Sequence, residues 1–283
     1  MNALPAPLSS SASAHKTAFH KLYGLGVGPG DPDLITVKAL SVLQSAPVVA
    51  FPAGLGGKPG VAERIVKPWL RPEQIRLPLK FPYTLDDRQL QAAWQKAASV
   101  VLPYLKQGDV AFACEGDVSF YGTFTYLAQA VQQLERQVEV RAIAGISSPM
   151  AAAAAAHIPL SCQSDKVAIL PALYSFNQQD IQSFNQQDIQ SLEASESKRT
   201  NISKTALEAA LDWADVIVLM KVGSVYAQVW RILERYQLLS RSIVVENATR
   251  SDERVFVELQ NHPDLSLSYF SLLIVQRSDC VSS

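Results

Sequence analysis

Residues 22–32 read Leu-Tyr-Gly-Leu-Gly-Val-Gly-Pro-Gly-Asp-Pro, an apolar run that ends in a glycine-rich loop. Apolar residues at helical spacing follow over 34–44, so the stretch predicts a strand, a loop and then a helix. It resembles the dinucleotide fingerprint Gly-x-Gly-x-x-Gly but does not match it. The last glycine of that pattern would fall on Pro29 or Asp31, and no acidic residue for a ribose lies about 20 positions further on.

The alternating glycines of 24–30 therefore need another explanation. A tight strand-to-helix turn, with Asp31 or Asp33 capping the helix, would require some of them. Four glycines in seven residues exceed what such a turn needs. We favour the interpretation that a ligand approaches the bare backbone of this loop closely.

Composition excludes several classes of protein. The chain has 283 residues, 48% of them hydrophobic, which allows one large or two medium domains with a packed core. Its formal net charge of -1 argues against a nucleic-acid partner and a polybasic membrane patch. No apolar stretch nears the about 18 residues that predict a membrane-spanning helix.

The cysteines and histidines predict neither a metal site nor a disulfide framework. Cys114, Cys162 and Cys280 are far apart and odd in number, and the four histidines are scattered. A reducing cytoplasm fits this use of cysteine best. We therefore predict a cytoplasmic protein with no metal ligands.

The order of strand and helix signals predicts an α/β fold in two domains. We expect a disordered N-terminal extension over 1–20, an N-terminal domain over 21–144 and a C-terminal domain over 145–283. The first alternates strands and helices, which is typical of a parallel sheet, and the second is richer in strand and predicts a mixed one. A polar insertion over about 173–204 contains an unchanged tandem octapeptide at 175–190, predicted to be a surface loop.

One part of the first half shows no strand signal. Helices are predicted at 61–70 and 86–106, one directly after the other, and a helix at 121–136 follows the apolar strand 109–114. Ser147-Ser148-Pro149 predicts a further helix start, with serine as the cap and proline in the first turn.

Ligands of open α/β sheets bind beyond the carboxyl ends of strands, where four loops of this chain are predicted. In the loop 115–122, Asp117 could accept a hydrogen bond from an ammonium or a ribose hydroxyl. The alternative is that Asp117 or Ser119 only caps a helix. Because Phe120 and Tyr121 are held in a turn bracketed by glycines, we favour a binding site.

The other two loops give weaker signals. Capping explains 144–149 as well as binding does. Met220, at a strand end, is more often a core residue than a ligand contact, whereas Asn247 and Thr249 could donate hydrogen bonds to the edge of a heterocycle. The sequence contains neither a Gly-x-Ser-x-Gly elbow nor a phosphate-binding Gly-x-x-x-x-Gly-Lys loop, which favours a chemistry that needs little side-chain acid–base help.

Taken together, the loops resemble those of the tetrapyrrole methylases, the class III S-adenosylmethionine-dependent methyltransferases. The resemblance covers 22–276 and rests on Gly-x-Gly-Pro-Gly-Asp-Pro at 26–32, Gly-Asp-x-x-Phe-Tyr-Gly at 116–122, Gly-x-Ser-Ser at 145–148 and Glu-Asn-Ala-Thr-Arg at 246–250. It implies two α/β domains with a cleft between them, S-adenosyl-L-methionine in that cleft, and a homodimer.

The resemblance also assigns site residues by position. It implies cofactor contacts at Pro29, Gly116, Asp117, Ser119, Phe120, Tyr121, Ser147, Ser148, Met220, Asn247, Ala248 and Thr249. It implies that the tetrapyrrole docks on Gly26, Gly28, Gly30 and Asp31. It assigns no catalytic side chain. Val118 departs from the proline usual after Gly-Asp, and Phe51 lacks the hydroxyl of a tyrosine common at that position.

The implied activity is methylation of precorrin-2, or its cobalt form, at C20 in cobalamin biosynthesis. The alternatives are methylation of another tetrapyrrole such as uroporphyrinogen III, of a protein or of ribosomal RNA, or a non-catalytic nucleotide-binding module of the same fold. Arg64, Lys67, Arg71 and Arg76 could steer a substrate rich in carboxylates. We favour the simpler interpretation that they form a solvated helix face.

Overall fold

The structure is a computed structural model that describes residues 19–54, 56, 58–82, 84, 86–172 and 205–278. The predicted insertion over 173–204, with its tandem octapeptide, lies outside the described residues. So does the predicted N-terminal extension, except for its last two residues. Of these, Phe19 packs against the core of the first sheet and the backbone N–H of His20 donates to Leu105 O at 2.9 Å, so neither is detached from the fold.

The first half of the chain forms a five-stranded sheet. Its strands are β1 (Leu22–Gly26), β2 (Val48–Pro52), β3 (Ile75–Leu79), β4 (Val110–Cys114) and β5 (Val140–Ile143). They lie in the order β3-β2-β4-β1-β5, and every pair is parallel, as predicted. The register places Gly26 beside Cys114, so the loops that follow β1 and β4 leave the same edge of the sheet side by side.

Helices cover both faces of this sheet. They are α1 (Val37–Ser45), α2 (Val61–Val66), α3 (Asp87–Leu105) and α4 (Phe124–Leu134). α1 and α2 bury residues such as Leu43 and Ile65 on one face, and α3 and α4 bury Val101 and Leu127 on the other. Thr36 caps α1, whereas Asp31 caps the short 3-10 turn before it.

Strand β3 is absent from the sequence prediction. Among the described strands it pairs only with β2. It contains Pro78 and exposes most of its residues, so it lacks the apolar run of the central strands. The helix predicted from Tyr121 starts at Phe124 instead, because Tyr121 has a left-handed backbone with φ +51°.

The second half forms a mixed five-stranded sheet. Its strands are β6 (Val167–Pro171), β7 (Val216–Met220), β8 (Ser242–Glu246), β9 (Arg254–Phe256) and β10 (Ser271–Gln276). The order is β6-β7-β10-β8-β9, with β6 and β7 parallel and the other pairs antiparallel. α5 (Ser148–Ala155) covers one face, and α6 (Ala206–Leu211) and α7 (Tyr226–Arg235) cover the other. The predicted α/β fold class is confirmed.

One cysteine differs from the prediction. Cys162 is disulfide-bonded, whereas Cys114 is a free, buried thiol. The number and spacing of the cysteines in the sequence do not reveal this bond. Among the described helices none is long and apolar enough to span a membrane, and the described His, Cys, Asp and Glu side chains form no cluster of three suited to a metal ion.

Candidate functional site

A cavity of about 760 Å³, called the cleft below, opens between the two sheets. Its wall combines the loop after β4 with the ends of β7 and β8 and the start of β10. Most of the predicted cofactor residues lie in that wall, namely Pro29, Gly116, Asp117, Phe120, Tyr121, Ser147, Ser148, Met220, Asn247 and Ala248. The structure therefore brings together four loops that are far apart in sequence.

Ser119 and Thr249 do not line the cleft. Ser119 is exposed, and its backbone N–H and hydroxyl both donate to Asp117 Oδ1, at 2.8 and 2.5 Å. The Thr249 hydroxyl instead accepts from Asp31 N at 3.1 Å and borders a separate hollow of about 420 Å³. Both residues hold loops in place around the site.

Asp117 connects two of the predicted loops. Its Oδ2 accepts from Gly145 N at 2.7 Å, while Oδ1 is held by Ser119. Burial acts to raise the pKa of Asp117, but the hydrogen bonds from Ser119 and Gly145 outweigh it and the pKa lies below its ordinary value. In this structure Asp117 is thus a carboxylate whose two oxygens already bind the protein.

Replacing Asp117 with alanine should destabilise the protein by about 1–3 kcal/mol, because the partly buried Gly145 N–H loses its acceptor. Denaturant unfolding at neutral pH measures this cost. The difference from wild type should shrink as the pH falls through the lowered pKa of Asp117, where the wild-type side chain loses its charge but can still accept the hydrogen bond. Asp33→Ala, at an exposed position, is the control and should stay near wild type.

The opening glycine loop is packed against the chain itself. A Cβ on Gly26 would lie 2.5 Å from Gly145 N, and one on Gly30 would lie 2.4 Å from Arg250 Cγ. Gly28 has φ +84° and exchanges backbone hydrogen bonds with Gly116. The structure thus explains these glycines by close packing of the chain on itself rather than by close approach of a ligand. None of the predicted substrate residues, Gly26, Gly28, Gly30 and Asp31, lines the cleft, and docking of a tetrapyrrole on them stays a prediction.

Several residues of the cleft adopt strained backbones. Tyr121, Lys221 and Asn247 have φ values of +51°, +60° and +52° although none is glycine. The segments after β4, β7 and β8 are therefore held in conformations that cost free energy locally, which is common at ligand-binding sites. The Asn247 side chain is also engaged, because its amide donates to Asp252 Oδ2 at 3.0 Å and its oxygen accepts from Ser268 Oγ at 3.2 Å.

Ser147 occupies the N-cap position of α5, as predicted, but does not cap it with its side chain. Its hydroxyl donates to Met150 Sδ at 2.8 Å. Tyr121 Oη donates to Ile169 O at 3.4 Å, which connects the loop after β4 to the second sheet. Phe120, on the same loop, packs on the face of that sheet.

The cleft contains an ion pair that the sequence of its single loops did not predict. Arg250 Nη2 donates to Glu115 Oε1 at 2.9 Å, and the guanidinium stacks on the Phe270 ring at 4.0 Å from its centre. Burial raises the pKa of Glu115 to about 7, against the attraction of Arg250, Lys221 and Arg64. The only signal in the sequence was an acidic residue directly after one predicted strand and a basic residue four positions after the end of another.

Cations surround this carboxylate. Lys58, Arg64, Lys221 and Arg250 all line the cleft, and Lys221 Nζ also lies 5.3 Å from the centre of the Tyr269 ring. Of the four basic residues considered for steering the substrate, only Arg64 lies in the wall. Lys67, Arg71 and Arg76 lie outside it, and Arg71 pairs with Glu73 at 3.2 Å on the surface.

The chain is similar in sequence to tetrapyrrole-modifying enzymes. A model of the Tetrapyrrole (Corrin/Porphyrin) Methylases matches residues 21–261. The chain is 31% identical over 260 residues to a probable cobalt-precorrin-2 C(20)-methyltransferase of Methanocaldococcus jannaschii, covering 91% of this chain and 96% of that protein. It is 29% identical over 263 residues to the cobalt-precorrin-2 C(20)-methyltransferase of Salmonella typhimurium, covering 91% and 96%.

Solved structures share the fold. The X-ray structure of cobalt precorrin-4 methyltransferase superposes with a TM-score of 0.62 at 21% identity, covering 90% of this chain and 94% of that one. Uroporphyrin-III C-methyl transferase from Thermus thermophilus, complexed with S-adenosylhomocysteine, superposes with a TM-score of 0.56 at 18% identity, covering 90% and 97%. Because the family model matches most of this chain, the chain belongs to the tetrapyrrole methylase family.

Proposed function

We propose that this protein transfers a methyl group from S-adenosylmethionine to C20 of precorrin-2, with or without cobalt in the ring, in cobalamin biosynthesis. The observation that carries the proposal is the similarity, along nine-tenths of both chains, to enzymes named for this reaction. The cleft supports it, because the loops by which the chain resembles its family converge there.

The wall of the cleft fits S-adenosylmethionine. A cavity of about 760 Å³ is within the range of about 300–1,000 Å³ usual for small-molecule sites. Met220, Ala248 and Leu272 supply an apolar surface suited to an adenine ring, and Ser147 and Ser148 supply hydroxyls near the start of α5. The sulfonium and amino groups of the cofactor are cationic, and Glu115 and Asp117 are the carboxylates of the described wall.

The chain contributes alignment more than covalent chemistry. When bound, S-adenosylmethionine would supply the methyl group. The electron-rich C20 carbon attacks that methyl group, and the sulfur leaves with the electrons of the carbon–sulfur bond. The protein therefore needs no nucleophile of its own. Holding the two reactants in line and excluding water supplies about 7–11 kcal/mol in favourable systems. The short hydrogen bonds and strained loops around the cleft provide the rigidity that such alignment requires.

The substrate is a polycarboxylate, which suits the charge of the rim. Lys58 and Arg64 come from the first half of the chain and Lys221 from the second, so one anionic macrocycle could contact both. We further propose that the protein works as a homodimer, from the family resemblance, and that it is cytoplasmic, from the odd number and wide spacing of its cysteines. Light scattering of the purified protein at micromolar concentration tests the dimer, and a monomer mass would contradict it.

Binding of the cofactor product is the first test. S-adenosylhomocysteine at 100 times its Kd should stabilise the protein by about 2.7 kcal/mol, measured by thermal or denaturant unfolding. Met220→Lys, which places a charge in the apolar wall, should abolish that gain. Because Met220 is also buried in the core, the variant is less stable than wild type, and the gain is measured against its own unfolding without ligand. No stabilisation of the wild type at saturating ligand would contradict the methyltransferase proposal.

A comparison of substrates is the second test. Precorrin-2 and uroporphyrinogen III should be offered separately, each with methyl-labelled S-adenosylmethionine, and label in the macrocycle measured. We expect transfer to precorrin-2 only. Transfer to uroporphyrinogen III instead would support the alternative tetrapyrrole methylase, and transfer to neither, with cofactor bound, would support a binding module.

A further inference from the structure

The proposed reaction releases a proton. When C20 gains a methyl group it still carries its original hydrogen, and the carbon–sulfur bond electrons stay on sulfur. The ring recovers its conjugation only when the C20–H bond breaks, its electron pair returning to the macrocycle and the proton leaving. A base in the cleft would speed this step, and the family resemblance did not assign one.

Few described side chains of the cleft can act as that base. Burial raises the pKa of the Cys114 thiol to about 12, so it stays protonated at neutral pH. Asp117 has both oxygens bound to the protein and a lowered pKa, which makes it a weak base. None of the described histidines lines the cleft, and its lysines and arginines are cations at neutral pH.

Glu115 differs from these groups in its surroundings. It lies directly after β4, in the cleft wall, with its side chain 30% exposed. Among the described contacts, the hydrogen bond from Arg250 engages Oε1, which leaves Oε2 to accept a proton. Because that bond reaches from the second half of the chain, it fixes the carboxylate at the junction where both reactants would lie.

We propose that the Glu115 carboxylate accepts the C20 proton after methyl transfer, and that Arg250 holds it in position. This inference rests on the function proposed above. The step balances, since the macrocycle loses a proton, Glu115 becomes a neutral carboxylic acid, and the acid releases the proton to water as products leave. Arg250 is a positioning residue in this account.

The charge around Glu115 suits a reversible proton acceptor. Arg250, Lys221 and Arg64 face it from three elements and favour the anion, while burial favours the acid. The balance leaves its pKa at about 7, where a side chain both accepts and releases protons readily at neutral pH. As the base works only when ionised, kcat should rise with pH through about 7 and then level off.

Glu115→Gln is the test variant, because the amide keeps the size of the side chain and an acceptor for Arg250. We expect kcat on precorrin-2 to fall by about 10²–10⁴-fold, with KM and S-adenosylhomocysteine binding near wild type. The rise of kcat through pH 7 should disappear. With precorrin-2 deuterated at C20, the isotope effect on kcat should be larger in the variant, because proton loss becomes slower than methyl transfer.

Glu139→Gln is the matched control, since Glu139 is a half-exposed glutamate paired with Lys21 at 3.4 Å on the surface. It should retain wild-type kcat and pH dependence. A Glu115→Gln enzyme with wild-type kcat and pH profile would overturn the inference while leaving the proposed function intact. A wild-type enzyme that does not methylate precorrin-2 would contradict both.

A second measurement covers the case in which Glu115→Gln does not fold. The wild-type kcat profile alone must then show the rise through about pH 7, and Glu115→Asp must keep that rise at reduced kcat. A wild-type kcat that does not change between about pH 5 and 9 would overturn the inference.

Discussion

Replacing Gly145 with alanine should lower the free energy of unfolding by about 3 kcal/mol and abolish S-adenosylhomocysteine binding. An added Cβ would lie 2.5 Å from Gly116 O, 2.5 Å from Gly26 C and 2.6 Å from Gly26 Cα. These are backbone atoms of two other loops, which cannot rotate away as a side chain would. The three loops must separate, and the hydrogen bond from Gly145 N to Asp117 stretches with them.

Gly56→Ala is the matched control for this prediction. Its Cβ would meet no atom of the described residues within 4 Å, and its strain comes from its φ of +60°. That left-handed backbone should cost about 1–2 kcal/mol. Urea unfolding and cofactor-product binding compare the two variants. Equal costs would contradict the account of the loops as closely packed backbones.

Replacing Arg250 with methionine should destabilise the protein by about 3 kcal/mol above neutral pH. The change leaves the Glu115 carboxylate largely buried without its nearest cation, and the stacking on Phe270 is also lost. We expect a destabilisation at the lower end of the range for broken buried ion pairs, because the Glu115 side chain remains 30% exposed.

The cost of Arg250→Met should depend on pH. The pKa of Glu115 is raised to about 7 from its ordinary 4.5, so the neutral acid predominates below pH 7 and needs no cation. Destabilisation relative to wild type should therefore grow as the pH rises through 7 and shrink towards about pH 6. The double variant Glu115→Gln/Arg250→Met should be more stable than Arg250→Met above neutral pH. A cost that does not change with pH would mean that lost packing, rather than the unpaired carboxylate, causes the effect.

The sequence predicted the strands and loops that build the cleft because their signals are local. β4 and β7 are uninterrupted apolar runs buried along their whole length, and each ends abruptly in polar or glycine residues. Edge strand β3 gives no such signal, since exposed residues, Pro78 among them, interrupt its pattern. The general position of the site followed from the rule that ligands bind at the carboxyl ends of strands.

The partners within the site could not be predicted from sequence. Glu115 and Arg250 are 135 residues apart, and their pairing depends on how the two sheets pack. Likewise, the glycines of the opening loop were assigned to a ligand, whereas Gly26 and Gly30 pack closely on Gly145 and Arg250. A need for glycine is visible in the sequence, but whether protein or ligand fills the space is a property of the tertiary structure.

The most direct test of the proposed function is the position of the transferred methyl group. Precorrin-2 should be incubated with the enzyme and ¹³C-methyl S-adenosylmethionine, and the product examined by mass spectrometry and carbon NMR. The account predicts one added methyl group, attached to C20, and no labelled product when the cofactor cleft is disabled by Met220→Lys. A methyl group on another ring carbon would contradict the proposed function. So would a macrocycle that stays unlabelled although the enzyme binds S-adenosylmethionine.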